Sequence, residues 1–370
     1  MKTSFRIAKL LGIPIKIHFS FIIILALFAW VFSVQSIQLL GFTIGYGELQ
    51  TSNIFKYFFG IILTILFFVC VLLHELGHSY VTQKKGFKIN NITLFVFGGA
   101  SQIKETPRDP NTEIKIAAAG PAVSFLLSVF FIFIFFSTNF FEKNFISQII
   151  FISAGTLGFY NFILGLFNLI PAYPTDGGRL VRATLAKYMD YGKATSHASN
   201  IGKGIAIAMA IFGIITLNIW LVMISVFLFF GATQEEKMVK ISLALEDKKV
   251  EDIMTKNMKT VSPDEKIKDF LDFAKENRSF IYPVIKNDKL IGVVTIDDVK
   301  DVSGENIKEV KIKDIMKKDF SKISQDKKAI SAFKELSSNK YNHLFVEKED
   351  KFVGVISSND IIHALKMSKI

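Results

Sequence analysis

The 370 residues are 50% hydrophobic, include 38 Phe and carry a net charge of +11. That composition is too apolar for an ordinary soluble protein and, with the apolar runs confined to about residues 1–234, reads as one membrane region and one soluble region, while a single cysteine, Cys70, excludes an intrachain disulfide and a cysteine-rich metal site. The charge is uneven: residues 1–234 hold 17 Lys/Arg and 8 Asp/Glu, whereas residues 235–370 hold 27 and 25. The basic excess lies between apolar runs and forms no separate patch-bearing domain, which argues against a nucleic-acid partner.

The N-terminus, MKTSFRIAKL, is basic, but no A-x-A-like cleavage site follows it, so the first apolar run is expected to be retained rather than removed as a signal peptide. Runs long enough to cross a bilayer lie at about 18–40, 57–82, 112–138 and 146–170. The stretch 199–232, broken at Thr216–Asn218, is expected to hold two short spans, which brings the total to six. If each run crosses once, Lys2/Arg6/Lys9, Lys84/Lys85/Lys88, Arg179/Arg182/Lys187 and Lys237/Lys240 all fall on one side, so both termini are expected in the cytoplasm. Residues 86–106 combine period-two patterning with β-branched residues and a Gly-Gly pair, and read as two short strands joined by a turn. At membrane depth such a re-entrant element is tolerated only where protein or a water-filled cavity satisfies its backbone.

The second half repeats itself. Glu251-Asp252-Ile253-Met254 recurs as Lys313-Asp314-Ile315-Met316, and Gly292–Val299 recurs as Gly354–Ile361, both at an offset of 62 residues. A constant offset marks two copies of one supersecondary unit. Each reads as strand, helix (about 264–276 and 326–338), strand, strand, helix.

His74-Glu75-Leu76-Gly77-His78 is an H-E-x-x-H motif inside the second apolar run. On a helix, positions i and i+4 share a face, so both imidazoles can bind one zinc ion while Glu75 reaches a metal-activated water as a general base. A charge within a span costs from about 2.5 kcal/mol upward, which argues for a functional cause. A catalytic zinc needs a third protein ligand, and the best candidate is Asp176, in a segment where Pro171, Pro174 and Gly177-Gly178 break the helix. The competing role for Asp176 is helix capping. His18 reads as a hydrogen-bonded structural residue, His197 and His343 as loop or surface residues, and His363 as part of a final amphipathic helix.

With F-G-G-A at 97–100, A-A-G-P at 118–121 and N-L-I-P-x-x-P-x-D-G-G-R at 168–179, this motif resembles the prokaryotic branch of the site-2 protease family of intramembrane zinc metalloproteases, over roughly 1–234. The resemblance implies that His74, His78 and Asp176 bind zinc, that Glu75 is the general base, and that the Asn168 amide polarises the scissile carbonyl or steadies the oxyanion. Thr175 departs from the family's Leu-Asp-Gly pattern, which leaves the ligand intact and bears on how the loop packs. No insertion of the PDZ type interrupts the region. The repeat resembles a pair of cystathionine-β-synthase (CBS) domains over about 246–368. That resemblance implies adenine-nucleotide contacts at Thr295 with Asp298 and at Ser357 with Asp360; a purely structural pair that binds nothing is the competing reading.

The expected architecture is a polytopic α-helical membrane protein of about six transmembrane helices with a short re-entrant β element, plus a cytosolic α/β CBS pair. Its expected segments are 1–234 (zinc-protease domain), 235–247 (linker helix), 248–303 and 309–368 (CBS copies). The expected activity is hydrolysis of transmembrane protein substrates with one Zn2+ per chain. ATP, ADP or AMP at the CBS pair is the expected regulator, and a homodimer through the CBS copies is a further expected partner. A CBS-gated transporter or channel and a catalytically dead scaffold remain the rival classes. The H-E-x-x-H motif with a distant Asp-Gly-Gly separates the first rival from a protease, because an ion pathway does not require it.

Overall fold

The computed structural model describes all residues except 1–3, 40–41, 97, 104–106, 278, 280, 301–308, 337–341 and 368–370. Phe97 of the F-G-G-A motif, the last two residues of the helix expected at 326–338 and the expected ends of the CBS copies at 303 and 368 lie outside the described residues. The chain divides into two compact units, Met1–Glu236 and Lys237–Ile370.

The first unit opens with strands β1 (Ser4–Leu10) and β2 (Ile13–His18), then α1 (Phe21–Val34), the short pair β3 (Ile37–Leu39) and β4 (Phe42–Ile44), and α2 (Asn53–Lys84). Strands β5 (Ile89–Phe95) and β6 (Gly98–Ile103) follow, then α3 (Pro110–Ser137), α4 (Phe145–Asn168), α5 (Asp176–Leu185), α6 (Tyr191–Ile215) and α7 (Ile219–Ala244). Local chemistry sets several boundaries. Asp109 caps α3 by accepting from the Thr112 N–H at 2.8 Å, with Pro110 at the first helical position. Asn144 and Ser147 form a capping box at the start of α4. Gly86, at φ +86°, ends α2 in the left-handed conformation that side chains resist.

Five helices are long and apolar enough to cross a membrane: α2, α3 with its 3-10 extension to Phe140, α4, α6 and α7. Apolar side chains such as Leu126 and Phe133 stay 70% and 72% exposed, a surface that hydrocarbon rather than water suits. Among the described residues the six apolar runs appear as five long helices and one short one. Helix α1 has 14 residues, about 21 Å at 1.5 Å per residue, well under the roughly 30 Å of a hydrocarbon core. Residues on both sides of it extend into strands instead. The two spans expected in 199–232 are not short: α6 and α7 have 25 and 26 residues and meet at the polar break 216–218. Of the linker helix expected at 235–247, residues 235–244 are helical and continuous with α7.

The expected strand pair at 86–106 forms as β5 and β6, joined into a four-stranded sheet ordered β1-β2-β5-β6. Strand β2 pairs with β5 in parallel and the other pairs are antiparallel. The N-terminal hairpin, which the sequence reading took as a basic flank, supplies half of this sheet. Ile13, Ile15 and Ile92 are fully buried and pack with Leu72 and Leu76 of α2, which fixes the sheet beside His74 and Glu75.

The second unit contains α8 (Val250–Ile253), α9 (Ile267–Glu276), β7 (Tyr282–Lys286), β8 (Lys289–Val294) and α10 (Ile296–Lys300). The second copy supplies α11 (Ile312–Ile315), β9 (Lys322–Ser324), α12 (Ala329–Leu336), β10 (His343–Lys348), β11 (Lys351–Ser357) and α13 (Ser358–Met367). The leading strand of each copy is shorter than expected: β9 has three residues, and the first copy has only the Val261–Val284 bridge. The copies interlock. Thr255 bridges to Val355 and, 62 residues on, Lys317 bridges to Val293, so each copy's opening segment completes its sibling's sheet.

Candidate metal centre

Helix α2 carries His74 and His78 one turn apart on its buried face, at 3% and 6% exposure. Asp176, the first residue of α5, is brought to them by the loop after α4. Its Oδ2 lies 3.4 Å from His74 Nε2 and 3.0 Å from His78 Nε2, and the two Nε2 atoms are 3.2 Å apart. These three groups are the His/Cys/Asp/Glu cluster that could hold a metal among the described residues.

The outer ring nitrogens decide what the centre fits. His78 Nδ1 lies 2.7 Å from the carbonyl oxygen of Ile116 on α3. A carbonyl only accepts, so Nδ1 carries the proton and a neutral ring presents a lone pair at Nε2. His74 Nδ1 is likewise engaged, 2.8 Å from Ser124 Oγ. The His78 lone pair, a carboxylate oxygen and the Nε2 of His74, whose Ser124 partner can donate to Nδ1 as readily as accept from it, therefore converge, an arrangement that a cation stabilises. Ligand atoms on a tetrahedral zinc with bonds of about 2.0–2.1 Å lie about 3.3 Å apart, which matches the observed edges, and the engaged Nδ1 atoms are the outer-shell partners such ligands take. The residues fit zinc.

Space for this approach comes from Gly120. A methyl group there would collide with the rings of His78 and His74. The A-A-G-P segment is what lets α3 pass against the two imidazoles. Gly99 of β6 does the same for Glu75, whose side chain lies against it. Ser101 Oγ, on the same strand, donates to Glu75 Oε2 at 3.0 Å. Ser124, Ser101 and the Ile116 carbonyl were not singled out from the sequence; Ser124 follows Gly120 by one helical turn, which was the available signal.

Asn168 is the last residue of α4, and its Nδ2 donates to the Leu164 carbonyl at 3.0 Å. Thr175 is buried, and its hydroxyl donates to the carbonyls of Ile170 (2.7 Å) and Ala172 (2.6 Å), so the departure from the family's leucine ties the loop under Asp176 by hydrogen bonds. His18 contacts Ser20 Oγ at 2.8 Å, as a structural residue would; His197 is a surface residue, exposed on α6; His343 opens β10. Arg182, counted above among loop charges, is instead fully buried, at 1% exposure.

In the second unit, the Thr295 N–H and hydroxyl both donate to Asp298 Oδ2, at 2.8 and 2.7 Å, and Ser357 does the same to Asp360 at 2.7 Å twice. The two sites differ at the other oxygen. Lys317 Nζ forms an ion pair with Asp298 Oδ1, whereas its counterpart 62 residues earlier, Thr255, donates a hydroxyl to Asp360 Oδ1 at 2.8 Å. Burial pushes the Asp298 carboxyl up, but the contacts with Lys317 and Thr295 outweigh it and hold it below the usual carboxylate range.

A model of peptidase family M50 matches residues 62–155 and 139–212, and a model of the CBS domain matches 250–305 and 312–367. The zinc metalloprotease MJ0392 of Methanocaldococcus jannaschii is 36% identical over 100% of this chain and 98% of its own length. The solved site-2 protease from the same organism is 38% identical and covers 63% of this chain and 95% of its own, with a TM-score of 0.44. The solved CBS domain of a bacterial CNNM/CorC family Mg2+ transporter in complex with ATP is 27% identical and covers 36% and 97%, with a TM-score of 0.33. With a relative this similar along its whole length, the chain belongs to peptidase family M50, as a zinc metalloprotease of the site-2 protease type carrying a CBS pair.

Proposed function

We propose that this protease hydrolyses peptide bonds in or near transmembrane segments of membrane proteins, with His74, His78 and Asp176 holding one zinc ion and Glu75 acting as general base. The observation that carries this reading is the convergence of His74, His78 and Asp176, with the outer nitrogen of each imidazole already engaged. A zinc ion held there would supply Lewis acidity and a water made acidic enough to attack near neutral pH. Glu75 accepts the proton of the attacking water and delivers it to the leaving amine. Ser101 holds Glu75 in place for both transfers. The Asn168 amide has a second N–H beyond the one bonded to Leu164, and that N–H polarises the scissile carbonyl.

A helical substrate hides its carbonyls in i→i−4 hydrogen bonds, so it unwinds before cleavage, which favours segments containing Gly, Pro or Asn. Among the described strands β6 pairs only with β5, and its Gly99 and Ser101 contact the Glu75 side chain, which supports docking of the unwound segment by β-addition. Thr93 of the interior strand β5 pairs with both β2 and β6, and Phe95 with β6, so proline at either would disturb the sheet itself and report on folding. Alternate N-methylation of the substrate is the cleaner probe: methyl groups on one parity of residues should block cleavage and on the other spare it.

The same proposal divides the chain at 1–234, 235–247, 248–303 and 309–368, with both termini and the CBS copies cytoplasmic, as the Lys/Arg asymmetry supports. Adenine nucleotide at Thr295/Asp298 and Ser357/Asp360 modulates proteolysis, either through a homodimer of CBS copies or through the helix at 235–245. The test is cleavage of a panel of transmembrane helices by purified wild type and Glu75→Gln, with and without ATP. The variant should keep its zinc and lose cleavage by at least about a hundredfold. Wild-type cleavage by Glu75→Gln would sink the reading.

A further inference from the structure

Arg182 is the most completely buried large cation of the first unit, on the second turn of the short helix whose first residue is Asp176. Its Nε donates to Glu113 Oε1 at 3.0 Å, its Nη2 reaches the same oxygen, and its Nη1 donates to Glu235 Oε1 at 2.6 Å. The guanidinium also lies over the rings of Tyr173 and Tyr191, at 5.4 and 5.0 Å from their centroids. One side chain of α5 is thus bound from α3, α7, the loop before α5 and the start of α6. A planar, five-donor fork held this way fixes both the rotation and the slide of its helix.

The partner on α3 gives the arrangement its meaning. Glu113 sits one turn before Ile116, whose carbonyl holds His78. The opening turns of α3 therefore hold two members of the metal set at once: His78 through Ile116, and the helix of Asp176 through Glu113 and Arg182. Asp176 itself is anchored weakly from its own helix, with Arg179 Nη1 3.8 Å from Oδ1. We propose that Arg182 is a positioning residue for the metal centre, aligning Asp176 with the two imidazoles by clamping α5 to Glu113 of α3 and Glu235 of α7. This rests on the reading of Asp176 as a zinc ligand.

The test measures the zinc dissociation constant of the full-length purified chain by chelator competition, alongside Tm without metal. Arg182→Lys keeps the charge but loses the fork, and Glu235→Gln, at a half-exposed carboxylate, removes one arm while leaving the buried Glu113 pair. Ser128→Ala, which removes the α3–α4 hydrogen bond to the Gly158 carbonyl, is the control for loss of stability alone. Positioning predicts that zinc affinity falls about tenfold or more in Arg182→Lys and severalfold in Glu235→Gln, while Ser128→Ala lowers Tm and leaves affinity within twofold. If Arg182→Lys does not fold, Glu235→Gln decides alone. Wild-type affinity in the folded Arg182 and Glu235 variants, with zinc lost in Asp176→Asn, overturns the proposal and spares the ligand reading. Zinc retained in Asp176→Asn overturns the ligand reading, and the proposal with it.

Discussion

His78 Nδ1 donates to the Ile116 carbonyl at 2.7 Å, and that contact determines which ring nitrogen faces Asp176. The corresponding contact on His74 goes to a side chain, Ser124, and is open to mutation. Ser124→Ala should weaken zinc binding by about tenfold to a hundredfold, because the imidazole loses the partner that orients it. Chelator competition on the purified chain measures this, and an unchanged affinity would remove Ser124 from the metal's outer shell.

Gly120→Ala should be more severe for metal and milder for the fold. Alanine suits a helix interior better than glycine by about 1 kcal/mol, but its methyl would occupy the space of both imidazole rings. Metal analysis should find most of the zinc gone, with the metal-free Tm lowered far less than by a core truncation.

Ser101→Ala removes the hydroxyl that donates to Glu75, while the described hydrogen bonds of His74, His78 and Asp176 do not involve Ser101. Turnover should fall by about threefold to tenfold, in line with loss of one hydrogen bond of about 1 kcal/mol, at unchanged zinc content. Parallel metal analysis and single-turnover cleavage distinguish this outcome from a general loss of the site.

The two CBS clefts should bind nucleotide unequally. Lys317 forms an ion pair with Asp298 Oδ1, whereas the corresponding oxygen of Asp360 accepts from the Thr255 hydroxyl, a weaker competitor for ribose hydroxyls. Titration calorimetry with ATP should show Asp360→Ala costing more affinity than Asp298→Ala. Lys317→Thr should raise affinity at the first cleft by about twofold to fivefold, the worth of a half-exposed ion pair. Equal losses in the two aspartate variants would contradict the asymmetry.

Asp298 also gives a pH signature. Its folded carboxyl titrates below the ordinary range, so it adds stability above the unfolded value of about 4, and loses it as pH falls through the folded value. Asp298→Asn should therefore be less stable than wild type by about 1 kcal/mol at pH 7, with the gap closing as pH drops towards 3. Thermal unfolding at a series of pH values tests this; a gap that widens on acidification would reverse the sign.

His74, Glu75 and His78 were legible in the sequence because a helix converts a spacing of four into one face, and that rule needs no information beyond the segment itself. The 62-residue repeat was legible for a similar reason: identical local patterns form identical local units, whatever surrounds them. The strand pair at 86–106 was readable from period-two patterning, but its partner hairpin at 4–18 was not, since apolar alternation beside a long apolar run looks like the run's beginning. Pattern alone also misjudged α1, because hydropathy continues past Val34 while the backbone turns to strand.

Sequence by itself determined the chemical inventory: an imidazole pair with a carboxylate between, a distant Asp before two glycines, and two copies of a hydroxyl–carboxylate motif. Packing decided the rest. Whether Asp176 reaches two imidazoles about a hundred residues away depends on α3 passing close at Gly120 and on α5 being clamped through Arg182. The same holds for the exchange of Thr255 and Lys317 between the CBS copies. Local periodicity carries no record of such contacts, because they are made by side chains whose neighbours are fixed only when the helices and sheets close on one another.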